Sequence, residues 1–185
     1  MEITIVKKTA IILYPQFSEY ELSVALSILM QGNKPIVTVG LDKQPIRGES
    51  GLTCVADTTI SEINIEEIDS IVLPGCLDIE PLLDEEGLIE FLKQVVSTET
   101  IVASISSSPY FLANAGLLTG KKDTVGLPME AIEKLGVFEK ENYCPDLVVQ
   151  DGNMITARGC GFIKFGICLG KALNLEFDES WYQEK

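Results

Sequence analysis

One segment, residues 100–120 with the sequence TIVASISSSPYFLANAGLLTG, constrains the fold more than any other. Its first part, residues 101–105, is a continuous apolar run that is typical of a buried strand in a parallel sheet. Helically spaced apolar residues at 110–118 then predict a helix, for which Ser106, Ser107 and Ser108 offer capping hydroxyls. So sharp a passage from strand to helix places Ser106 above the carboxyl edge of the sheet, as in a nucleophile elbow.

The residues two before and two after such an elbow must be small, because the strand and the helix nearly touch there. In this chain they are Ser104 and Ser108. The chemistry is unusual, because an alcohol such as that of Ser106 needs a base and the chain contains no histidine. A Ser-His-acid triad within this chain is therefore excluded.

The rest of the chain alternates predicted strands and helices. Apolar runs predict strands at residues 9–14, 36–41 and 68–73, and helical periodicity predicts helices at 19–31, 85–96, 129–135 and 161–173. Turn signals predict a small β excursion on the sheet edge at residues 42–59 and a hairpin between residues 147–150 and 154–157. This alternation predicts an α/β fold, a doubly wound flavodoxin-like sandwich with a mainly parallel sheet, in one domain spanning residues 1–185.

Composition limits the partners and the compartment. A formal net charge of −14 argues against nucleic acid and anionic membrane surfaces as partners, because both require clustered Lys and Arg. The longest uncharged run, residues 101–120, contains serines, a proline and glycines, which indicates a buried strand and helix and no membrane segment. Five cysteines without framework spacing favour a reducing compartment, so we expect a cytoplasmic protein without a metal site or cofactor.

In a doubly wound sheet, ligands bind at the carboxyl ends of the strands. Here these corners are residues 15–21, residues 74–76, Ser106 and residues 158–161. Chemical groups that are far apart in the sequence are thus expected to meet at one edge.

The same corners carry a family likeness. Its motifs are FSEYEL, which contains Glu21, then VLPGC, the elbow segment ASISSSPYFLANAGLLTGKK and the tail VVQDGNMITARGCG. Through these motifs the chain resembles the ThiJ/PfpI family, also called the DJ-one superfamily, which has a class I glutamine-amidotransferase-like fold. The resemblance covers most of the chain and implies a homodimer.

The sequence departs from the family pattern at the elbow. The family carries cysteine where this chain has Ser106, and it often carries histidine where this chain has Ser107 or residues 126–128. The family's glutamate is retained as Glu21 and is expected to hydrogen-bond the elbow side chain. An alcohol does not form the low-pKa thiolate on which the family's protease, deglycase and glyoxalase activities largely depend.

Two other cysteines occupy unusual positions. The family usually has glycine at the position of Cys76 and proline at that of Cys160, and both are expected to line the pocket above the elbow. They are candidates for a relocated thiol pair, a disulfide, or soft-metal ligands together with Glu21; the alternative is that they have no chemical role. Cys168, among apolar residues of the last predicted helix, is expected to be part of the core.

The ligand-binding candidates surround the elbow. The amide N–H groups around Gly75 and Ser107 are expected to form an anion cradle. Arg158 and Gly159 are expected at the rim, where Arg158 either binds an anionic ligand or is held by surface carboxylates.

Three functional hypotheses remain open. The first is a non-catalytic protein that binds a small-molecule ligand or responds to stress, with Ser106 a relic or a weak nucleophile that uses Glu21 as its base. The second is a thiol-based enzyme or redox sensor, of the hydrolase, glyoxalase or deglycase type, that uses Cys76 or Cys160. The third is a purely structural or protein-binding dimer.

Overall fold

The computed structural model describes residues 6–183. Its centre is a seven-stranded sheet with the strand order β5-β2-β1-β6-β7-β9-β8, and a separate two-stranded ribbon pairs β3 with β4. The strands are β1 (Lys8–Leu13), β2 (Ile36–Gly40), β3 (Ile46–Arg47), β4 (Thr53–Cys54), β5 (Thr58–Thr59), β6 (Ile68–Leu73), β7 (Ile101–Ile105), β8 (Val148–Asp151) and β9 (Met154–Ala157). Within this described range, only β8 of the main sheet runs antiparallel to its neighbour, so the predicted mainly parallel sheet is confirmed.

Five α-helices connect or flank these strands within residues 6–183. They are α1 (Glu19–Gln31), α2 (Glu86–Val95), α3 (Pro109–Asn114), α4 (Met129–Leu135) and α5 (Phe162–Ala172). Helix α1 packs against α5, and α2 packs against α3. The crossover β1-α1-β2 leads towards one edge of the sheet, and the crossover β6-α2-β7 leads towards the other edge. Because such crossovers are right-handed, α1 and α2 lie on opposite faces of the sheet.

The central strands are apolar because both of their faces are covered. In β1, β6 and β7 nearly every residue is buried, which explains why the sequence shows continuous apolar runs there and no alternation. The core includes Ile12, Ile71 and Ile105, each with no measurable exposure. This rigid centre fixes the carboxyl ends from which the functional loops leave.

The predicted hairpin is confirmed. Asp151 pairs with Met154 in the antiparallel β8–β9 ladder, and Gly152 adopts φ of 60° in the turn. The predicted excursion is confirmed in part, because β5 joins the sheet edge beside β2 whereas β3 and β4 form a ribbon of their own.

The expectation for the helix after the elbow was wrong in two respects. Helix α3 ends at Asn114, well before the predicted residue 118, and the chain turns at Gly116, where φ is +75°. The Ser108 hydroxyl, at the N-cap position, makes no capping bond to the helix. With only six residues, α3 also has a weak macrodipole.

None of the helices within residues 6–183 combines the length and the apolar character needed to cross a bilayer. The predicted single domain also includes residues 1–5 and 184–185, which lie outside the described range.

Candidate functional site

The corner after β7 has the geometry of an elbow. Ser106 adopts φ of 65°, a left-handed conformation that is uncommon for a residue with a side chain. Two backbone hydrogen bonds hold it: the Ser106 N–H donates to the Ala157 carbonyl at 2.8 Å, and the Gly126 N–H donates to the Ser106 carbonyl at 2.7 Å. Strain that is maintained in this way is typical of functional sites.

The small residues on either side of the elbow pack as the sequence predicts. Ser104 and Ser108 are fully buried, and their hydroxyl oxygens lie 2.7 Å apart. The Ser108 hydroxyl also lies 2.7 Å from the Ile105 carbonyl and 2.8 Å from the Leu73 carbonyl. These hydroxyls therefore join β7 to the end of β6 and do not cap α3.

Glu21 reaches the elbow from the first turn of α1. It is 2% exposed, and its Oε2 accepts a hydrogen bond of 2.7 Å from the Gly75 N–H. The Tyr20 hydroxyl donates to its Oε1 at 3.3 Å. The two loops are fastened together, because the Ser18 N–H donates to the Gly75 carbonyl at 2.9 Å.

The charge state of Glu21 results from opposing effects. Burial raises the pKa of Glu21, and the nearby Glu49 carboxylate raises it further. The Gly75 N–H and the hydroxyls of Ser106 and Tyr20 favour the carboxylate and oppose this rise. The net pKa is raised, so Glu21 takes up a proton more readily than an exposed glutamate does.

Glycines enclose this pair closely. A Cβ at Gly75 would lie 2.5 Å from Ser106 Cβ and 2.7 Å from Glu21 Oε2. A Cβ at Gly159 would lie 2.6 Å from Glu21 Oε1 and 3.3 Å from Ser106 Oγ. On the other side, a Cβ at Gly126 would lie 3.0 Å from Ser106 Cα. We call Gly75, Gly126 and Gly159 the glycine cradle; any side chain there would displace Ser106 or Glu21.

The anion cradle that the sequence suggested is largely occupied by the protein itself. The Gly75 N–H is used by Glu21, and the Cys76 N–H donates to the Ser107 hydroxyl at 3.2 Å. The backbone N–H of Ser107 has no hydrogen-bond partner within residues 6–183. Of these amides, that of Ser107 is the one left without a partner among the described residues.

Cys76 is near the elbow, but its surroundings do not activate it. Its Sγ lies 3.7 Å from the Ser107 hydroxyl and donates to the Asp78 carbonyl at 3.5 Å. Burial raises the pKa of the Cys76 thiol to about 11, and nearby carboxylates add to the effect. A thiol with that pKa is protonated at neutral pH, which argues against a relocated thiolate at this position.

The other cysteines are also free thiols, so the disulfide considered for Cys76 and Cys160 is not formed. Cys160 is exposed in the helical turn Gly159–Gly161. Within residues 6–183 no three His, Cys, Asp or Glu side chains form a group able to hold a metal ion, so Glu21 and these two cysteines do not make such a site. Cys168 packs against the core but is only partly buried, and its Sγ donates to Gln150 Oε1 at 3.2 Å.

Arg158 is exposed and directly precedes Gly159 of the glycine cradle. Among the described residues, no carboxylate forms an ion pair with its guanidinium.

Sequence reasoning missed two residues of this site, Tyr20 and Glu49. Tyr20 precedes Glu21 in the FSEYEL motif, so adjacency could have identified it. Glu49 accepts a hydrogen bond of 2.8 Å from the Ser18 hydroxyl and acts on Glu21 electrostatically. It belongs to the β3–β4 ribbon, and no local signal places that ribbon beside α1.

Comparison with known proteins agrees with this architecture. The model of the DJ-1/PfpI family matches residues 7–168. Protein DJ-1alpha of Drosophila melanogaster is 32% identical over 161 residues, which are 84% of this chain and 71% of that protein. Deglycase PfpI of Pyrococcus furiosus is 29% identical over 150 residues, which are 79% of this chain and 86% of that protein.

A solved structure shows the same fold. The crystal structure of the thiJ/pfpI family protein from Bacillus anthracis superposes with a TM-score of 0.82 at 24% identity, covering 96% of this chain and 89% of that chain. The strand order, the elbow at Ser106 and the match over residues 7–168 lead to one conclusion. This chain belongs to the DJ-1/PfpI family.

Proposed function

We propose that this protein binds a small molecule at the elbow without turning it over. The observation that carries the proposal is that the glycine cradle holds the Ser106 alcohol next to Glu21, a buried carboxyl of raised pKa. Even a carboxylate of raised pKa is a weak base for an alcohol, and the chain has no histidine to replace it. The elbow therefore retains its shape and lacks an activated nucleophile.

The groups that remain at the elbow suit non-covalent binding. Ser106 offers a hydroxyl that both donates and accepts, and the Ser107 N–H offers a further donor. Glu21 accepts as a carboxylate and donates when protonated. Arg158, the exposed neighbour of Gly159, adds a positive charge. These groups fit a small polar ligand with a carbonyl or hydroxyl function.

The proposal is tested by comparing wild-type protein with Ser106→Ala and Ser106→Cys. Methylglyoxal consumption is a suitable assay, because glyoxalase is among the activities that the family resemblance implies. We expect no turnover from wild type or Ser106→Ala, and measurable turnover from Ser106→Cys, because a thiol at the elbow is ionised far more easily than an alcohol. The Ser106→Cys, Glu21→Gln double variant controls for the role of the carboxyl.

Wild-type turnover that Ser106→Ala abolishes would overturn the proposal. Turnover that survives in Ser106→Ala but disappears in Cys160→Ser would instead support the thiol-based alternative.

The thiol-based alternative has one favourable observation, which is that Cys160 is the exposed cysteine. Alkylation of native protein with iodoacetamide, followed by mass spectrometry, decides it: modification of Cys160 no faster than of Cys54 counts against a reactive thiol.

We also propose a homodimeric assembly, which the family resemblance implies, a cytoplasmic location, which five cysteines without framework spacing favour, and a role in stress response. Sedimentation equilibrium tests the first of them. A dimer whose elbow binds no ligand in a screen of small carbonyl compounds and alcohols would favour the purely structural or protein-binding role. A monomer that binds ligand would show that binding at the elbow does not require a dimer.

A further inference from the structure

A second concavity lies at the same edge of the sheet, separate from the elbow. It is a crevice of about 830 Å³ between three loops, those that follow β1, β2 and β6. Neither Ser106 nor Glu21 lines it. Its volume falls within the range of about 300–1,000 Å³ that is typical of small-molecule sites.

The position of the crevice follows from the strand order. Strands β2 and β5 lie on one side of β1. The strands from β6 onwards lie on its other side, and β6 is the direct neighbour of β1. The loops after β1 and β6 therefore diverge and leave an opening between them. The elbow lies one strand further along, at the end of β7.

The walls of the crevice are fixed before any ligand arrives. Tyr14 is fully buried beside the crevice, and its hydroxyl donates to the Pro74 carbonyl, which joins the loop after β1 to the loop after β6. Gln16 is held at φ of 61° by two hydrogen bonds, from its own N–H to the Arg47 carbonyl at 2.7 Å and from the Leu77 N–H to its carbonyl at 3.0 Å. A residue locked in this conformation ties the ribbon to the loop after β6.

The chemistry of the lining combines an apolar wall with negative charge. Leu41, which is partly exposed, and Leu77, which is 72% exposed, supply apolar surface. Three carboxylates, those of Asp42, Glu49 and Glu85, are distributed around the crevice. Among the described residues, the one cation of the lining is Arg47, and its guanidinium lies over the Gly51 turn, where a Cβ on Gly51 would be 3.1 Å from one of its nitrogens.

We infer that this crevice binds an amphipathic organic cation, an amine carried on an aromatic or alkyl body. The apolar body removes the leucine surface from water, and the ammonium group interacts with the carboxylates. An anion of the same shape meets three negative charges and one positive charge. The net charge of −14 attracts the cation from a distance as well.

Glu49 connects this crevice with the elbow. It lines the crevice, and its charge also acts on Glu21. A cation beside Glu49 offsets that charge, so occupancy of the crevice favours the ionised form of Glu21. The two sites are thus distinct in position and linked electrostatically.

The test uses three probes with one body: 2-phenylethylamine, 2-phenylethanol and phenylacetate. Calorimetric titration of the full chain is expected to give the tightest binding for the amine, roughly tenfold weaker binding for the alcohol and none for the acid, because the charge of the probe decides its interaction with the carboxylates. Amide chemical shifts should move at Leu41, Gln44 and Leu82. Equal binding of amine and acid, or no binding by any probe, overturns the inference.

Matched variants locate the site. Glu85→Gln is expected to weaken amine binding about three- to tenfold, whereas Glu86→Gln, the same charge change one residue along and outside the crevice lining, should change it less than about twofold. Equal losses in both variants would indicate a general charge effect and contradict the inference. Ser106→Ala should leave amine binding unchanged; if it abolishes binding, the amine sits at the elbow, which overturns the crevice site and leaves the elbow proposal standing.

Discussion

Two buried carboxyls in this protein have opposite surroundings. Glu21 at the elbow is 2% exposed, and Asp123, in the segment that precedes Gly126, is 1% exposed. Burial raises the pKa of both side chains. Glu21, however, receives hydrogen bonds from Gly75 and Tyr20, whereas Oδ1 of Asp123 has no hydrogen-bond partner in the described part of the chain.

The difference teaches that burial alone does not mark a functional carboxyl. At Asp123, burial raises the pKa to about 6, and the nearby Glu139 carboxylate contributes to the rise. Nothing within residues 6–183 compensates the ionised Oδ1, so Asp123 is a cost to stability at neutral pH. At Glu21 the donors are already in place, so the ionised carboxylate is partly compensated inside the fold.

The largest effect is expected from Gly75→Ala. Gly75 supplies the N–H that bonds Glu21, and a donor of this kind is what Oδ1 of Asp123 lacks. The added Cβ would lie 2.5 Å from Ser106 Cβ, so the loop that donates to Glu21 must move. We expect a loss of about 3 kcal/mol in the free energy of unfolding, measured by urea denaturation. Gly87→Ala in helix α2 is the control and should be neutral or stabilising by up to about 1 kcal/mol. Equal stability of Gly75→Ala and wild type would show that the cradle is not tight.

Asp123→Asn is expected to stabilise the protein at pH 7 by about 1–3 kcal/mol. The raised pKa means that the folded state holds the proton more firmly than the unfolded state. The contribution of Asp123 to stability is therefore complete below about pH 4 and is lost as pH rises through about 6. Urea denaturation from pH 4 to pH 7 should show the gain of the variant shrinking as pH falls. A variant that is less stable at pH 7 would mean that Oδ1 has an unrecognised partner.

Glu21→Gln should change the free energy of unfolding at pH 7 by less than about 1 kcal/mol, because the amide that replaces the carboxyl retains an acceptor for the Gly75 N–H. Since the pKa of Glu21 is also raised, the wild-type carboxyl should lose stability as pH rises, but by less than Asp123 does. The same denaturation series measures both. A larger pH-dependent gain for Glu21→Gln than for Asp123→Asn would reverse the comparison.

The smallest effect is expected from Tyr20→Phe. Tyr20 is 47% exposed and its hydroxyl is 3.3 Å from Glu21 Oε1, so the loss of stability should stay below about 0.5 kcal/mol. Removal of this donor should nevertheless raise the pKa of Glu21 further, which carboxyl carbon NMR can follow through a pH titration. Ser23→Ala, at an exposed hydroxyl of the same helix, serves as the control and should leave that pKa unchanged. A fall in the pKa of Glu21 in Tyr20→Phe would contradict its role as a donor.

Much of the fold was predictable because its signals are local. Apolar runs identified β1, β6 and β7, and Asp151-Gly152 identified the hairpin. The helix after the elbow was predicted too long, since helical spacing of apolar residues continues past Gly116, where the backbone turns. The sequence predicted that the serine hydroxyls cap the helix after the elbow. In the structure the Ser108 hydroxyl bonds the carbonyl of Leu73 at the end of β6 instead.

The sequence by itself determined the strand-to-helix corner, the absence of a histidine base and the alcohol at residue 106, because these follow from residue identity and short-range pattern. Only the tertiary structure decided what surrounds that alcohol. The Gly75 N–H that serves Glu21 is 54 residues away in the chain, and the Cys76 N–H that occupies the Ser107 hydroxyl is 31 residues away. Hydrogen bonds and burial of this kind depend on which loops the sheet brings together, and no local periodicity encodes that.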